Sequence, residues 1–589
     1  MAKKMKPVDA VMVGMGWSGS IMARELTKAG LTVVGLERGA DKSPREDFAL
    51  PRIRDELKYR IRLELMLDTA VETYTFRNAP SEHALPMRRW DVPPLGDGVG
   101  GAGAHWNGIT LRFDPNEFVL RSHLTARYGA AAIPEWMTIQ DWGVTYDELE
   151  PHYDRFEKLC GTSGRAGNLR GTKIDGGNVF EGPRSDDYPN KPLITSQAGL
   201  IFTKATQSLG LHPFPTPASN SSAPYVNSEG MQIGQCEYCG HCELFGCESN
   251  AKASPLVCIL PVLRADAKFE LRAQAYVSRL MYDKDAKKVR GVVYVDRRTG
   301  EEIEQPAEMV VLCAYPFNNT QLLLSAGIGE PYDPATGKGV VGKNYCQQTN
   351  SAVQVFVEDE INPFIGTGTS PAAIDDFQCD NFDHGGLGFL GGGYIAPVVS
   401  GGRPIQVRAV PPGVSRWGSK WKEETARWYN HTFPITSHAV NYAHRNNYLD
   451  LDPTWRDAIG RPLVRMTYNY TENDYKMAAY LTDRCVEIAR AANVKIIGTP
   501  QPRRGNFGVN NGLSSHHTGG AIMGTDPGTS AINRYLQSWE ASNLFVMGGA
   551  AFPQNAGHNP TCTIGALTYW SAAAITGQYL KAPGPLVRA

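Results

Sequence analysis

Four cysteines fall in one short stretch, Cys236, Cys239, Cys242 and Cys247, with the spacing CxxCxxCxxxxC. Thiolates so crowded must surround one small volume, and soft sulfur ligands at that density suit a metal ion or an iron–sulfur cluster. Structural zinc competes with this reading, although zinc ribbons take two separated CxxC pairs, one from each hairpin. Disulfides compete too, and three cysteines at successive three-residue intervals leave them an awkward remainder. The chain has 11 cysteines, and the others are scattered singly, which is not a secreted disulfide framework. The cysteine loop, residues 236–255, is therefore read as a cluster site with those four thiols as candidate ligands.

A second constellation lies near the N-terminus. The apolar run Ala10-Val11-Met12-Val13 leads into Gly14-Met15-Gly16-Trp17-Ser18-Gly19, a GxGxxG turn, and Met22, Leu26 and Ala29 then recur at helical spacing. Leu31 to Leu36 predicts the next strand, with Glu37 and Arg38 at its C-terminal end. This is the pattern of a dinucleotide-binding βαβ unit. Gly14 permits the tight turn, Gly16 lets backbone approach a pyrophosphate at the helix N-terminus, and Gly19 lets helix and strand pack closely. Glu37 would accept ribose hydroxyls. Downstream, Gly96 to Gly108 is dense in glycine and includes Gly100, Gly101, Gly103, His105, Trp106, Asn107 and Gly108. Such a run lets N–H groups reach a flat or phosphorylated ligand without Cβ interference.

Positioning these groups takes a large protein. With 589 residues and 42% hydrophobic content, the chain can bury a core spread over several domains. Lys plus Arg number 59 against 60 Asp plus Glu, so no global field attracts nucleic acid or anionic lipid. The apolar run after the N-terminal lysines is too short for a signal peptide and serves as a strand, and no run is long enough to span a membrane. The expectation is that this chain carries no export signal or span of its own.

The sequence resembles the glucose-methanol-choline (GMC) family of FAD oxidoreductases over nearly its whole length. Beyond the two glycine motifs, the match covers Ala275-Tyr276-Val277, the hairpin Val292 to Val311 around Thr299-Gly300, Asn319 to Gly329, and Val341-Gly342-Lys343-Asn344. It continues through His516-His517-Thr518-Gly519-Gly520-Ala521-Ile522-Met523-Gly524, where Gly520 stands for the family's usual Thr. Asn543 to Pro553 follows, with Gly548 replacing a common Asp, and then Gly557-His558-Asn559-Pro560-Thr561. The resemblance implies an α/β fold, α+β overall, of p-hydroxybenzoate hydroxylase-like architecture. A Rossmann-like FAD domain would span residues 1–349, an antiparallel sheet with helices would form the substrate domain at residues 350–494, and residues 495–589 would return to the FAD domain. Pro462 to Tyr468 alternates like a half-buried strand, and Met477, Leu481, Cys485 and Ile488 recur at helical spacing.

By the same resemblance, Val277 contacts adenine, and Gly549, Ala550, Asn559, Pro560 and Thr561 contact the flavin. The helix near Pro560 points its N-terminus at the flavin's N1/C2=O edge. His516 is the catalytic base and Asn559 its partner, with His517 structural. His105 sits where some members tether FAD covalently. Few GMC enzymes have the cysteine loop. With Cys-Gly-His-Cys and Lys252-Ala253-Ser254-Pro255, it resembles the bacterial membrane-bound branch that oxidises sugars and sugar acids, gluconate and 2-ketogluconate foremost. That branch implies a [3Fe-4S] cluster on three cysteines, with Cys239, Cys242 and Cys247 the expected three. It also implies a small subunit with an export signal, a membrane-anchored multihaem cytochrome c subunit, and a place at the periplasmic face of the inner membrane. Expected activity is oxidation of D-gluconate at C2. Alternatives are 2-ketogluconate, glucose, sorbitol or fructose as substrate, or a peroxide-forming oxidase with structural zinc. Arg403, Arg408, His438 and Arg445 are candidate partners of a substrate carboxylate.

Overall fold

The computed structural model describes residues 3–48, 65–88, 95–367, 370–399, 409–509 and 515–588. Arg403 and Arg408 lie outside them.

The Val8–Val13 strand is the centre of a parallel sheet, because Ala10, Val11, Met12 and Val13 are buried on both faces. The spatial order is Phe269–Arg272, Val33–Leu36, Val8–Val13, Glu302–Leu312 and Leu544–Val546, all parallel. Glu302–Leu312 is long enough to serve two sheets. Its first half pairs antiparallel with Lys288–Asp296, which pairs in turn with Ala275–Asp283. The expected hairpin at Thr299-Gly300 is thus present.

The Trp17–Lys28 helix begins at the GxGxxG turn and buries Ile21, Met22 and Leu26 against the sheet, while Ala29 caps it in solvent. A Cβ on Gly19 would lie 2.0 Å from the Gly14 carbonyl oxygen, so only glycine allows this close approach.

The second sheet is antiparallel, in the order Gly393–Pro397, Thr432–Ala439, Thr349–Phe356 and Ile496–Ile497. One face packs on the Glu472–Ala491 helix. That helix starts with a reciprocal Thr471–Asp474 capping box and buries Met477, Leu481, Cys485 and Ile488, as their spacing predicts. Each such apolar side chain contributes about 1.5–3 kcal/mol by leaving water. The other face looks toward the nucleotide-binding unit.

Pro462–Thr467 is a strand, as its alternation predicts, but it belongs to neither sheet. It pairs antiparallel with Tyr448–Arg456 and parallel with Thr75–Arg77, which pairs with Leu85–Pro86. This small third sheet joins residues far apart in sequence and brings Arg461 to the mouth of the nucleotide cleft.

Candidate active site

A cavity of about 400 Å³ runs between the two main sheets. At one end stand Glu37, Arg38, Tyr276, Val277 and Arg461, and at the other His438, His516, His517 and Asn559. Gly14, Gly16, Trp17, Ser18, Gly101, Gly103, His105, Trp106, Asn107, Gly549, Pro560 and Thr561 also line it. Gly19, Gly100, Gly108 and Ala550 do not line it and act from behind the wall. The Gly100 N–H donates to the Met15 carbonyl at 3.0 Å, and the Gly108 carbonyl accepts from Ser219 at 2.7 Å. The Ala550 carbonyl accepts from Ala521 at 3.0 Å. These hydrogen bonds show Gly100, Gly108 and Ala550 shaping the loops behind the wall.

The fit to FAD rests on what the walls leave open. The Glu37 carboxylate accepts the Met15 N–H at 3.0 Å and the Gly39 N–H at 3.1 Å, which fixes it at the cavity wall. Burial raises its pKa, an effect these two backbone donors oppose. Arg461, which the sequence did not single out, donates to the Val277 carbonyl at 3.0 Å and lies over the Tyr276 ring at 4.4 Å. A Cβ on Gly16 would meet nothing closer than 4.0 Å, so the space above this turn is free for a ligand. The Thr561–Ala574 helix has Pro560 as N-cap and no acidic side chain in its first turn, so its positive end faces the cavity unneutralised. His105 is buried, its Nε2 has no hydrogen-bond partner, and burial lowers its pKa to about 3.

At the far end the protonation pattern follows from geometry. Gln348 donates its amide nitrogen to the carbonyls of Ala556 at 2.9 Å and His558 at 2.9 Å, and also to that of Gly557. Its Oε1 therefore faces His516 Nδ1, 2.5 Å away, and that nitrogen must carry the proton. On the other side, Tyr394 donates its hydroxyl to Asn559 Oδ1 at 3.1 Å, turning Asn559 Nδ2 toward His516 Nε2 at 3.2 Å. His516 Nε2 thus keeps its lone pair beside an amide donor, inside the cavity. Burial lowers the His516 pKa to about 3, so the base is neutral at physiological pH. His517 also reaches the cavity wall, but its ring is held by aromatic neighbours. Its Nδ1 bonds the Tyr345 hydroxyl, and its ring packs among Tyr315, Phe317 and Tyr345.

The antiparallel sheet presents one cross-strand row to this end. Asn350 pairs with His438, and His438 with Tyr394. The His438 and Tyr394 rings stack at 4.6 Å, and His438 Nε2 and Asn350 Oδ1 are buried without hydrogen-bond partners. Of the two candidate carboxylate partners among the described residues, His438 is placed in the cavity. Arg445 is turned away and donates to the carbonyls of Pro334 at 3.0 Å and Ala335 at 3.2 Å. Sequence reading missed Asn350 and Tyr394, since a polar residue in a strand carries no signal of the face it occupies, and Gln348, just ahead of the Thr349–Phe356 strand, which belongs to no motif.

The cysteine loop forms part of the cavity wall. Glu243 and Leu244 line it, and the Leu244 N–H donates to the His105 carbonyl at 2.7 Å. Lys252 is buried and its ammonium donates to the carbonyls of Trp106 at 2.5 Å, Cys242 at 2.6 Å and Phe245 at 2.7 Å. The loop and the glycine-rich segment are thereby tied together. Asn220 donates to Cys242 Sγ at 3.3 Å, and the Lys252 N–H to Cys247 Sγ at 3.4 Å. Among the described residues, no three loop sulfurs come within 4.8 Å of one another. Four thiols in one loop, two of them met by N–H donors, are soft ligands of the kind that hold a metal ion or an iron–sulfur centre.

Comparison with known proteins agrees with this geometry. The patterns of the GMC oxidoreductase family match residues 219–350 and 443–568. The chain is 47% identical to the gluconate 2-dehydrogenase flavoprotein of Pantoea cypripedii, covering 100% of this chain and 97% of that one. It is 26% identical to the fructose dehydrogenase large subunit of Gluconobacter japonicus, over 98% of this chain and 99% of the relative. Its fold matches Aspergillus oryzae formate oxidase with a TM-score of 0.59 at 12% identity, covering 98% and 99% of the two chains. A glycine-walled nucleotide cleft, a neutral histidine at its end and full-length likeness to a flavoprotein lead to one conclusion: the chain belongs to the GMC oxidoreductase family and is an FAD-dependent enzyme.

Proposed function

We propose that the protein is the catalytic flavoprotein of a gluconate 2-dehydrogenase-type complex, oxidising D-gluconate at C2 to 2-keto-D-gluconate. The observation that carries this is the His516–Asn559 pair at the end of the FAD cleft, in a chain 47% identical over its full length to a gluconate 2-dehydrogenase flavoprotein. FAD in the cleft supplies the hydride acceptor. His516 Nε2 takes the hydroxyl proton of the substrate carbon being oxidised, while the Asn559 amide holds that oxygen. Asn350 and His438, which line the cavity with an unpartnered polar atom each, offer hydrogen bonds to the remaining hydroxyls. His105 Nε2, buried and unpartnered beside the glycine loop, is the atom that would tether the flavin through its 8α carbon.

Electrons would leave through an iron–sulfur cluster, [3Fe-4S] on Cys239, Cys242 and Cys247, because a haem takes one electron at a time whereas the substrate gives two. Support comes from the loop's place in the cavity wall and from the N–H donors on its sulfurs. The acceptor would be a membrane-anchored multihaem cytochrome c subunit. No described helix is long and apolar enough to cross a membrane, so a partner would provide the anchor. A small subunit would provide the export signal to the periplasmic face of the inner membrane.

Stopped-flow spectroscopy tests both halves. D-gluconate should bleach the flavin anaerobically faster than 2-ketogluconate, glucose, sorbitol or fructose does, and another order of rates would move the substrate assignment. Folded Cys239→Ser, Cys242→Ser and Cys247→Ser proteins should still bleach but fail to reduce cytochrome. Intact cytochrome reduction in protein lacking iron would sink the relay.

A further inference from the structure

Lys252 is 1% exposed, and a buried ammonium is costly unless its hydrogens are all bonded. Here they are. The three N–H donors of the ammonium meet the carbonyls of Trp106 at 2.5 Å, Cys242 at 2.6 Å and Phe245 at 2.7 Å. One of these carbonyls belongs to the glycine-rich segment and the other two to the cysteine loop. Substrate oxidation makes no use of the group.

The junction falls on the residue next to His105. The Leu244 N–H donates to the His105 carbonyl at 2.7 Å, Lys252 to the Trp106 carbonyl, and the Trp106 indole N–H to the Ala253 carbonyl at 2.7 Å. The His105-Trp106 pair is thus held from both sides by the cysteine loop and its exit. That exit is itself fixed, because the Ala253 N–H donates to the Ser219 carbonyl at 2.8 Å and the Ser221 N–H to the Ala251 carbonyl at 2.8 Å. Of these contacts, only that of Lys252 grips both loops through one atom. His105 is 4% exposed, lines the FAD cleft and keeps Nε2 without a hydrogen-bond partner. Its backbone is gripped while its reactive atom is left open. Burial above all, and then the positive charge of Lys252, keep its ring neutral.

Granted the His105 tether, we propose that Lys252 is a positioning residue for covalent flavin attachment, clamping His105-Trp106 to the cysteine loop so that His105 Nε2 meets the flavin's 8α carbon. In that step the Nε2 lone pair bonds to the 8α carbon, one C–H bond of that carbon breaks, and its proton leaves to water. The electron pair of the broken bond stays in the flavin, the imidazole gives its remaining N–H proton to water, and dioxygen removes the electron pair as hydrogen peroxide. Such an attack depends on placement, and a misplacement of about 1 Å can cost ~10²-fold in rate. Lys252 touches neither reacting atom and acts through the backbone that carries His105.

Acid precipitation of purified holoenzyme, with flavin measured in pellet and supernatant, tests the clamp. Wild-type protein should keep its flavin in the pellet. Lys252→Met should fold and match the wild type in total flavin per chain, with the share left in the pellet lower by ~10-fold or more. Lys252→Gln retains an amide donor for the carbonyls and reads the same quantity where the methionine variant does not fold; its pellet share should fall less than that of Lys252→Met. A folded, FAD-binding variant that attaches its flavin as fully as wild type would overturn the clamp and leave the tether standing. Flavin released from the wild type would overturn the tether and the clamp with it. Loss of folded, FAD-binding protein in both variants would make Lys252 a support of the fold alone and would equally overturn the proposal.

Discussion

Acidification separates a base of ordinary affinity from the one this cavity holds. His516 is desolvated, and its pKa is lowered to about 3. At pH 5 an imidazole of pKa about 6.5 would be only ~3% neutral, whereas one near 3 would be ~99% neutral, a difference of about thirty-fold in available base. Flavin bleaching by substrate, followed anaerobically by stopped flow at low substrate concentration, reports the free enzyme's base. The rate should stay within about two-fold between pH 8 and pH 5, a window in which a sugar-acid carboxylate, with a pKa of roughly 3.5, stays ionised. His516→Ala should lower that plateau by ~10²–10⁴-fold, about 3–5 kcal/mol of barrier, with FAD retained. His517→Ala should instead leave a hole among Tyr315, Phe317 and Tyr345 and lower the Tm more than the rate. Folding must be checked at each pH. The unfolded imidazole binds protons below about 6.5 and the folded one only near 3, so stability present above 6.5 is lost as pH falls through that window. An acid limb centred near 6.5 in folded enzyme, absent from His516→Ala, would refute the desolvated-base argument. A larger loss of rate in His517→Ala than in His516→Ala would refute the assignment of the pair.

Two further outcomes are expected. Gly19→Ala puts a methyl 2.0 Å from the Gly14 carbonyl oxygen, so the turn must open, and the purified protein should carry little flavin by absorbance; full flavin content would contradict the close-packing role. Acid precipitation of native protein should leave the flavin fluorescence in the pellet, and His105→Ala should release it to the supernatant, whereas release from both proteins would exclude the tether.

Much of the site was legible because its parts are local. A GxGxxG turn, the acid at Glu37 and the glycine run before His105 each carry their meaning within a few residues, since backbone approach is decided by neighbours in the chain. Resemblance extended this to His516 and Asn559, which lie in short motifs. Helical spacing likewise announced the Glu472–Ala491 helix, because burying one face requires that period.

Tertiary structure decided the rest. Which nitrogen of His516 carries the proton depends on Gln348, 168 residues away, whose own orientation is set by three carbonyls from the 556–558 segment. That Arg461 reaches the nucleotide end, and that Pro462–Thr467 joins Thr75–Arg77 in a separate sheet, follow from long-range strand pairing that no local pattern encodes. The row of Asn350, His438 and Tyr394 exists only once three strands are in register, because a one-residue slip would turn those side chains to the opposite face. The sequence by itself determined which chemical groups the protein owns and the turns that hold a nucleotide. Only the fold decided their partners, and therefore their charges, because protonation is set by whatever the packed chain places within a few ångströms.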